Sequence, residues 1–430
     1  MKVAFVTLGC KVNQYETEAL RELFIEKGFV PAEKGEEPDI FVINSCTVTS
    51  QSDRKTRQTL RHWKKKYPNC ITVLLGCMPQ FEPEEAKKVV EADVVFGNTD
   101  HKKIPDLLEE FIKTRERIVN IEEHIKGEKF CTPSINSFSE RTRAYMKIED
   151  GCDRFCSYCA IPFARGRVRS RDLQDIKNEA QVLSIKGFKE IVLVGINLSA
   201  FGKGMDIDIC DAVKAVANVE GIKRVRLGSL EPDHITDEML EKLKNIPEFC
   251  PQFHLSLQSG CDETLKRMNR HYDSAFYYDL VERIRKIFPN ASITTDIMVG
   301  FAGETEEEFQ KSLAFAKKVG FARTHVFAYS IRKGTAAEKL KSHLTGDVKQ
   351  QRSEKMIEQT LKSEKEFLNS MVGKEDYVLF ETLKDGYIEG YTPNYTRVRI
   401  KTDKNLEGEI LKVSLNSVVD DYIEGSITLD

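Results

Sequence analysis

The chain has 430 residues, of which 40% are hydrophobic and 31% are charged; this is the composition of a soluble globular protein with about two to four domains. No apolar run approaches the roughly 18 residues of a membrane-spanning helix, so we expect no membrane partner. The net charge of −3 gives no global basic field, so we expect no DNA partner, and any contact with nucleic acid must use local patches.

The cysteine content indicates the cellular compartment of the chain. There are eleven of them, and an odd, clustered set argues against a disulfide framework and favours a reducing cytoplasm. The N-terminal apolar stretch, residues 1–10, is too short for a secretory signal and is predicted to form a first buried strand. We therefore expect a cytoplasmic protein.

Strands and helices alternate along the first third of the chain, which predicts a parallel sheet. The expected strands are residues 3–8, 39–44, 71–75 and 94–96. Cys10, Cys46 and Cys77 each follow one of the first three strands, where the next helix begins. Because parallel strands end at one edge of the sheet, we expect these cysteines to converge, close to helix N-termini that favour thiolates. Three unrelated buried cysteines are the alternative.

The middle of the chain is predicted to form a separate domain. Residues 126–143 are polar, with Gly, Pro and Ser, and are predicted to link an N-terminal domain, 1–125, to a central domain, 144–370. Six strand-like segments separated by helices then predict a partial (β/α)6 barrel, an α/β fold whose active site lies at the carboxyl ends of its strands.

Three more cysteines follow the first strand of that barrel. Cys152, Cys156 and Cys159 have the spacing C-x3-C-x2-C. Three thiolates leave one position of a four-ligand centre open, and an open position is typical of a catalytic site. The pattern favours an iron–sulfur cluster, with a structural zinc or inert core thiols as the alternative.

Polar residues and glycines cap the other barrel strands, and the segment after the cysteine loop is basic. Glycines at strand ends let a backbone approach a ligand, although such a strand end is usually only a turn. Arg165, Arg167, Arg169 and Arg171 alternate, so an extended segment would turn all four the same way, towards phosphate or carboxylate. Ion pairs with remote acidic residues are the alternative.

A second basic segment, residues 54–66, follows Cys46. It is either a surface that binds nucleic-acid phosphates or a solvent-exposed helix face.

The last part of the chain, residues 371–430, alternates short strands with turns, which predicts a small antiparallel β-barrel. Arg397 and Arg399 share one face of a strand, and Tyr395 lies beside them where it could stack on a base. These three residues are candidates for RNA binding. A purely structural barrel is the alternative.

Several of these segments resemble the radical S-adenosylmethionine methylthiotransferase family. The resemblance is carried by Leu8-Gly9-Cys10-Lys11-Val12-Asn13-Gln14-Tyr15-Glu16, Asn44-Ser45-Cys46-Thr47-Val48, Leu75-Gly76-Cys77, the Cys152–Cys159 loop and residues 160–171. Residues 390–400 resemble the TRAM RNA-binding module. Together these segments span nearly the whole chain.

The resemblance implies two 4Fe–4S clusters and S-adenosylmethionine as cofactors, and an external electron donor. It implies that Cys152, Cys156 and Cys159 hold the catalytic cluster, whose open iron binds S-adenosylmethionine, and that Cys10, Cys46 and Cys77 hold an auxiliary cluster. The residues it implies to contact S-adenosylmethionine are Tyr158, Gly195, Asn197, Glu231, Gln258 and Met298.

The opening segment resembles the branch of the family that acts on threonylcarbamoyladenosine in tRNA. The implied reaction replaces the carbon-2 hydrogen of that base, next to the anticodon, by a methylthio group, so the implied partner is the anticodon stem-loop. That C–H bond has no acidic proton, and radical chemistry of this kind is delegated to cofactors. The alternatives are methylthiolation of isopentenyladenosine in tRNA or of a ribosomal-protein aspartate, and a non-enzymatic Fe–S or zinc RNA-binding protein.

Overall fold

Parallel sheets and one closed β-barrel organise the chain. A computed structural model describes them over residues 1–33, 35–135 and 142–428. The strands are β1 Lys2–Thr7, β2 Val30–Pro31, β3 Ile40–Ser45, β4 Ile71–Gly76, β5 Val94–Phe96, β6 Ile118–Asn120, β7 Arg143–Lys147, β8 Glu149–Asp150, β9 Arg169–Ser170, β10 Glu190–Val194, β11 Arg224–Leu227, β12 Ser229–Leu230, β13 Gln252–Leu255, β14 Ser292–Val299, β15 Arg323–Ala328, β16 Glu375–Lys384, β17 Tyr387–Tyr391, β18 Arg397–Lys401, β19 Ile410–Val419 and β20 Tyr422–Ile427.

The helices flank the parallel sheets and lead into the β-barrel. They are α1 Lys11–Glu26, α2 Ser50–Lys66, α3 Cys77–Phe81, α4 Pro83–Lys87, α5 Ile104–Thr114, α6 Ile161–Arg165, α7 Leu173–Ile185, α8 Ile209–Ala217, α9 Asp237–Lys244, α10 Asp262–Arg267, α11 Ser274–Ile287, α12 Glu306–Val319 and α13 Gly346–Met371. In the part of the chain that the structure covers, none of them is both long enough and apolar enough to cross a bilayer.

The N-terminal sheet is parallel throughout, with the strand order β2-β1-β3-β4-β5-β6. Every residue of β3 and β4 is buried, as expected for parallel strands covered on both faces. All four expected strands are present. The two that the sequence pattern missed, β2 and β6, are only two and three residues long, too short to show a period.

The central domain is the expected open (β/α)6 barrel, with its strands in the order β7-β10-β11 and then β12-β13-β14-β15, all parallel. Gly228 separates β11 from β12 and divides the barrel into two ladders. Within the described residues no ladder joins β7 to β15, so the barrel is open along one side. The predicted linker, 126–143, lies partly outside the described residues, and Arg143 already belongs to β7.

The C-terminal barrel closes in the order β16-β17-β18-β20-β19. Four of its five pairings are antiparallel, as expected, but β18 and β20 pair in parallel. The chain crosses from β18 to β19 at the far side of β16, and the β19–β20 hairpin then brings β20 back beside β18. A parallel pairing is therefore what closes this barrel.

Buried arginines fasten the C-terminal barrel to the amino ends of the central strands. Arg224 donates to the carbonyl of Tyr391 at 2.8 Å, and Arg226 donates to the carbonyl of Pro393 at 2.7 Å. Glu190, fully buried, balances both charges and accepts from Arg226 at 2.8 Å. Because a buried charge needs a partner, these contacts hold the two domains in one orientation.

Candidate active site

The structure brings Cys10, Cys46 and Cys77 together at one edge of the N-terminal sheet. Cys10 immediately precedes α1, Cys46 follows β3, and Cys77 begins α3 directly after β4. Gly9 has a φ of +116°, and a Cβ there would lie 2.9 Å from the Cβ of Cys46, so the turn needs glycine. Burial raises the pKa of Cys77 to about 12, and the neighbouring thiols of Cys46 and Cys10 add to this rise.

Two asparagines that the sequence analysis missed hold these turns in place. The side-chain amide of Asn13 donates to the carbonyl of Ser45 at 3.0 Å, while its oxygen accepts from the Cys10 thiol at 3.3 Å. Asn98 donates to the Cys77 sulfur at 3.8 Å and to the carbonyl of Ala164 at 3.4 Å. Asn13 lies one helical turn after Cys10, a spacing that could have identified it.

The Cys152–Cys159 loop lies at the carboxyl end of β7, on the rim of the central barrel. Gly151 has a φ of +86°, and a Cβ there would lie 2.0 Å from the carbonyl oxygen of Arg167, so the loop can start only with glycine. The Cys152 amide donates to the carbonyl of Gly166 at 3.0 Å, and the Cys159 amide donates to the carbonyl of Cys156 at 3.0 Å. These bonds fold the loop back on itself.

Contacts from three directions fix the middle of the loop. The amide of Ser157 donates to the carbonyl of Met268 at 3.0 Å, and its hydroxyl donates to the carbonyl of Arg267 at 2.8 Å. Its own carbonyl accepts from the amide of Ala337 at 2.7 Å. These contacts anchor Ser157 to two other segments of the barrel, residues 267–268 and Ala337.

Arg270 ties the loop to a barrel strand end. Its guanidinium donates to the Cys156 sulfur at 3.2 Å and to the carbonyl of Ser256 at 3.1 Å, and it forms an ion pair with Glu231. Glu231 was expected to contact a cofactor, yet this carboxylate is engaged by Arg270 and lies 3.5 Å from Arg154. Its contact with a ligand must therefore compete with two guanidiniums.

Other predicted rim residues carry polar atoms without partners. The side-chain oxygens of Asn197 and Gln258 are buried and have no hydrogen-bond partner within the described residues. Gln258 has a φ of +68°, a conformation that is unusual outside glycine and is often found at ligand sites. Gly195 faces Glu149, whose carboxylate would lie 2.6 Å from an added Cβ. These oxygens suit the ammonium and ribose hydroxyls of a small polar ligand.

The apolar side of the rim is formed by an aromatic cluster. Tyr158 lies edge-on to Phe301, with 6.2 Å between ring centroids, and Met298 packs in the same cluster. This surface can receive a flat ring such as adenine.

A chamber of about 610 Å³ lies between the N-terminal sheet edge and the barrel interior. Its lining includes Gly9, Cys10, Lys11, Val12, Gln14, Val194, Gly195, Leu227, Gly228, Ser229, Gln252, His254, Thr294, Thr295, Asp296, Arg323, His325 and Tyr395. A second cavity of about 490 Å³ lies beside the cysteine loop and is lined in part by Arg154 and Asn197. Cys10, one member of the first cysteine set, therefore borders a space large enough for a nucleoside.

Comparison with known proteins identifies the family. Residues 146–316 match the Radical SAM superfamily, and residues 2–97 match a family described as Uncharacterized protein family UPF0004. The threonylcarbamoyladenosine tRNA methylthiotransferase MtaB of Bacillus subtilis is 36% identical over 98% of this chain and 95% of the relative. A tRNA-2-methylthio-N(6)-dimethylallyladenosine synthase of Clostridium botulinum is 34% identical over 95% of this chain and 93% of the relative.

The chain belongs to the radical S-adenosylmethionine methylthiotransferases. Its fold also resembles the solved structure of the radical S-adenosylmethionine methyltransferase TsrM from Kitasatospora setae, with a TM-score of 0.56 and 13% identity over 76% of this chain and 74% of that one. At this identity the likeness concerns the fold alone.

The spacing of the cysteines in this methylthiotransferase discriminates between a zinc ion and an iron–sulfur cluster. Within the described residues no three His, Cys, Asp or Glu side chains are placed to hold one metal ion. Thiolates on one tetrahedral zinc would lie about 3.8 Å apart, given a Zn–S bond of about 2.3 Å. A four-iron cluster instead places each thiolate on its own iron and does not need that close spacing. The donor set, three soft thiolates in each case, fits a cluster.

The four alternating arginines do not form the expected common face in this methylthiotransferase. Arg165 ends helix α6, and Arg165, Arg169 and Arg171 are buried in ion pairs. Arg167 alone of the four is largely exposed, with 64% of its side chain accessible. For Arg165, Arg169 and Arg171 the structure shows the alternative reading, ion pairs with acidic residues, because the segment bends at Gly166 instead of running as an extended strand.

Arg165 is the centre of a buried charge network between α1 and the barrel rim. It donates to both carboxylate oxygens of Glu16, at 2.7 and 2.9 Å, and to Asp150 at 3.2 Å. Lys147 reaches the same two acids, at 2.6 and 2.7 Å. Burial alone would raise the pKa of Glu16, but Arg165 and Lys147 outweigh it and lower that pKa to about 2.

The C-terminal candidates for RNA binding are partly engaged with protein. Tyr395 stacks on Tyr391 with 4.6 Å between ring centroids, and Arg226 lies 4.8 Å above its ring. Arg397 pairs with Glu389 at 2.8 Å, and Arg399 lies 3.6 Å from the same carboxylate. The cationic strand expected here is therefore partly neutralised, because Glu389 is directly opposite Arg399 in the ladder and Asp421 pairs with Arg397 at 3.0 Å.

Replacing Glu16 by alanine tests the buried network. Removing one partner of a buried ion pair costs about 3–5 kcal/mol, so we expect Glu16→Ala to lower the unfolding midpoint in urea. Since the folded pKa of Glu16 is below its ordinary 4.5, the wild-type stabilisation is present above pH 4.5 and is lost as the pH falls towards 2.

The matched control is Glu26→Ala, an exposed position on the same helix, which should change stability by no more than about 0.5 kcal/mol. Equal midpoints for both variants would contradict a structural role for the network.

Replacing Arg270 by methionine tests its contact with Cys156. Hydrogen bonds to cluster sulfurs raise reduction potentials, so Arg270→Met should lower the potential of the cluster that the family resemblance assigns to the Cys152–Cys159 loop. A change of about 1.4 kcal/mol corresponds to about 59 mV for one electron, and we expect a fall of tens of millivolts in an EPR-monitored redox titration. Lys266→Met, an exposed neighbour, is the control, and an identical potential in Arg270→Met would refute the contact's role.

Proposed function

We propose that this chain adds a methylthio group to carbon 2 of N6-threonylcarbamoyladenosine, next to the anticodon of tRNA. The observation that carries the proposal is the near full-length similarity, at 36% identity, to a relative named for that activity. A relative named for the dimethylallyl substrate is almost as similar, at 34%. The choice between the two substrates therefore depends on the side chains of the chamber.

Family membership implies the first cluster and S-adenosylmethionine, and the second cluster is our proposal. Membership of the radical S-adenosylmethionine superfamily implies one 4Fe–4S cluster and S-adenosylmethionine, which we assign to Cys152, Cys156 and Cys159. We assign a second cluster to Cys10, Cys46 and Cys77, supported by their convergence and by the position of Cys10 at the border of the chamber. When bound, these groups supply the one-electron chemistry and the sulfur that an unactivated C–H bond requires; an external donor provides the electrons.

In this proposal, side chains of the barrel rim bind and orient S-adenosylmethionine. Asn197 and Gln258 offer unpartnered oxygens to the polar groups of S-adenosylmethionine, with Gly195 leaving room for them, and Tyr158 and Met298 form an apolar surface for its adenine. Asn98 touches both Cys77 and Ala164, five residues beyond Cys159. Asn98 thereby connects Cys77 to the helix that follows the second cysteine set.

The tRNA contact that we propose uses exposed cations outside the chamber. On helix α2, Arg54, Lys55 and Lys65 are exposed and take part in no ion pair within the described residues. Arg167, beside the cysteine loop, is exposed as well. These side chains can neutralise phosphates without entering the chamber. We place this reaction in the cytoplasm, and we propose that the C-terminal barrel serves as a TRAM-like module.

Nucleoside mass spectrometry of tRNA tests the proposal. A strain that lacks the gene should accumulate threonylcarbamoyladenosine without its methylthio form, and the wild-type gene should restore that form. Cys156→Ala should abolish cleavage of S-adenosylmethionine and methylthiolation together, because its cluster loses a ligand. Cys46→Ala should retain cleavage and lose methylthiolation.

Cys131→Ala, a half-buried cysteine outside both sets, should behave as wild type. Full methylthiolation by Cys46→Ala would overturn the second cluster. If the strain that lacks the gene loses a methylthio-dimethylallyl nucleoside and keeps methylthio-threonylcarbamoyladenosine, the proposed substrate is wrong.

A further inference from the structure

The chamber wall formed by β13, β14 and β15 is polar and carries a His–Asp–His arrangement. His254 lies 3.2 Å from one carboxylate oxygen of Asp296 through Nε2, and His325 lies 3.2 Å from the other through Nδ1. His254 also bonds to the hydroxyl of Thr294 at 3.0 Å. Each carboxylate oxygen of Asp296 thus has one histidine partner, and these contacts orient both rings.

Arg323 lies on the same wall and is available to a ligand. It precedes His325 by two residues on β15, so both side chains lie on one face of the strand, and both line the chamber. Its guanidinium makes no hydrogen bond or ion pair within the described residues. Arg323 is the cation of the chamber on this wall, whereas Lys11 lies next to Cys10 on the opposite side, over the ring of Tyr145.

The two substrates of the relatives differ in what they would present to such a wall. A threonylcarbamoyl group carries a carboxylate and a hydroxyl, whereas a dimethylallyl group is a hydrocarbon. Placing a carboxylate in a protein chamber is costly unless a cation or several donors meet it. Arginine meets a carboxylate with two parallel hydrogen bonds, and a hydrocarbon gains nothing from these groups.

The geometry of adenine places this group away from the reacting carbon. Carbon 2 and the N6 substituent lie on either side of ring nitrogen N1. With carbon 2 turned towards Cys10, the N6 substituent diverges from the Cys10 side, and its flexible threonyl chain can reach the wall that carries Arg323. The wall that carries Arg323 and His325 is thus where the distinguishing part of the substrate falls.

We propose that Arg323, with His325 beside it, binds the carboxylate of the threonylcarbamoyl group and selects this substrate over the dimethylallyl one. The proposal rests on the proposed function and assigns its specificity to a residue. Arg323 is a specificity-determining residue here, not one that takes part in the chemistry.

The test compares two RNAs that differ by one charge. Anaerobically prepared holoenzyme is given an anticodon stem-loop with threonylcarbamoyladenosine, or the same stem-loop with its carboxylate blocked as a methyl ester. Hydrogen bonds to a charged group are worth about 1.5–3 kcal/mol, so the wild type should bind the acid at least about tenfold more tightly than the ester. Arg323→Gln should bring that ratio to about twofold or less, and Arg323→Lys, which keeps charge without the fork, should lie between.

Lys317→Gln is the matched control, since it removes an exposed cation from the helix before β15 and should leave the ratio unchanged. An unchanged ratio in Arg323→Gln would overturn the proposal. An equal loss of affinity for acid and ester would also overturn it, because it would identify Arg323 as a phosphate contact.

Product analysis of the wild-type enzyme tests the proposed function separately. Methylthiolation of the threonylcarbamoyl stem-loop, with the ratio unaffected by Arg323→Gln, would refute the specificity assignment alone. If the wild-type enzyme methylthiolates only a dimethylallyl stem-loop, the proposed function fails and this inference fails with it.

Discussion

The buried contact between Arg165 and Glu16 is the interaction on which the rest of the site depends. Arg165 comes from the helix after the cysteine loop and Glu16 from the helix after Cys10, and both are almost inaccessible to solvent. Arg165 also donates to the Asn13 oxygen at 2.9 Å, and that oxygen accepts from the Cys10 thiol. A short chain of polar contacts therefore runs from one cysteine set to the rim that carries the other. Since unpaired buried charges are so costly, this alignment resists any relative sliding of the two domains.

A second set of contacts secures the opposite side of the same interface. Arg332, beyond the last barrel strand, pairs with Asp53 at 2.5 Å and donates to the Thr47 hydroxyl at 2.6 Å, next to Cys46. The amide of Ser50 donates to the hydroxyl of Ser330 at 3.1 Å. The N-terminal domain is thus joined to the barrel both through α1 and through the segment that follows β3.

The sequence predicted the parts of the site that local patterns encode. Cysteines at strand ends, the C-x3-C-x2-C loop and the alternation of strands and helices all follow from short-range rules, and the fold class was confirmed. Partners that lie far apart in the chain were beyond such rules. Arg270 reaches Cys156 from more than a hundred residues away, and nothing in its neighbours distinguishes it from a surface arginine. The sequence could not decide between exposed and ion-paired side chains for the arginines at 165, 169 and 171 for the same reason, because the acids that bury them lie on other elements.

The gap between β7 and β15 has a consequence for how a base of a folded nucleic acid can enter the barrel. A base that swings out of its loop can be inserted sideways through this slot while its strand stays outside, so the polymer never has to thread through a pore. In the tRNA contact proposed above, only the nucleobase and its appendage would be enclosed, and the exposed cations of α2 would be left for the sugar–phosphate chain. An enzyme built in this way can release a long product by simple withdrawal of one residue, without opening any of its domain contacts.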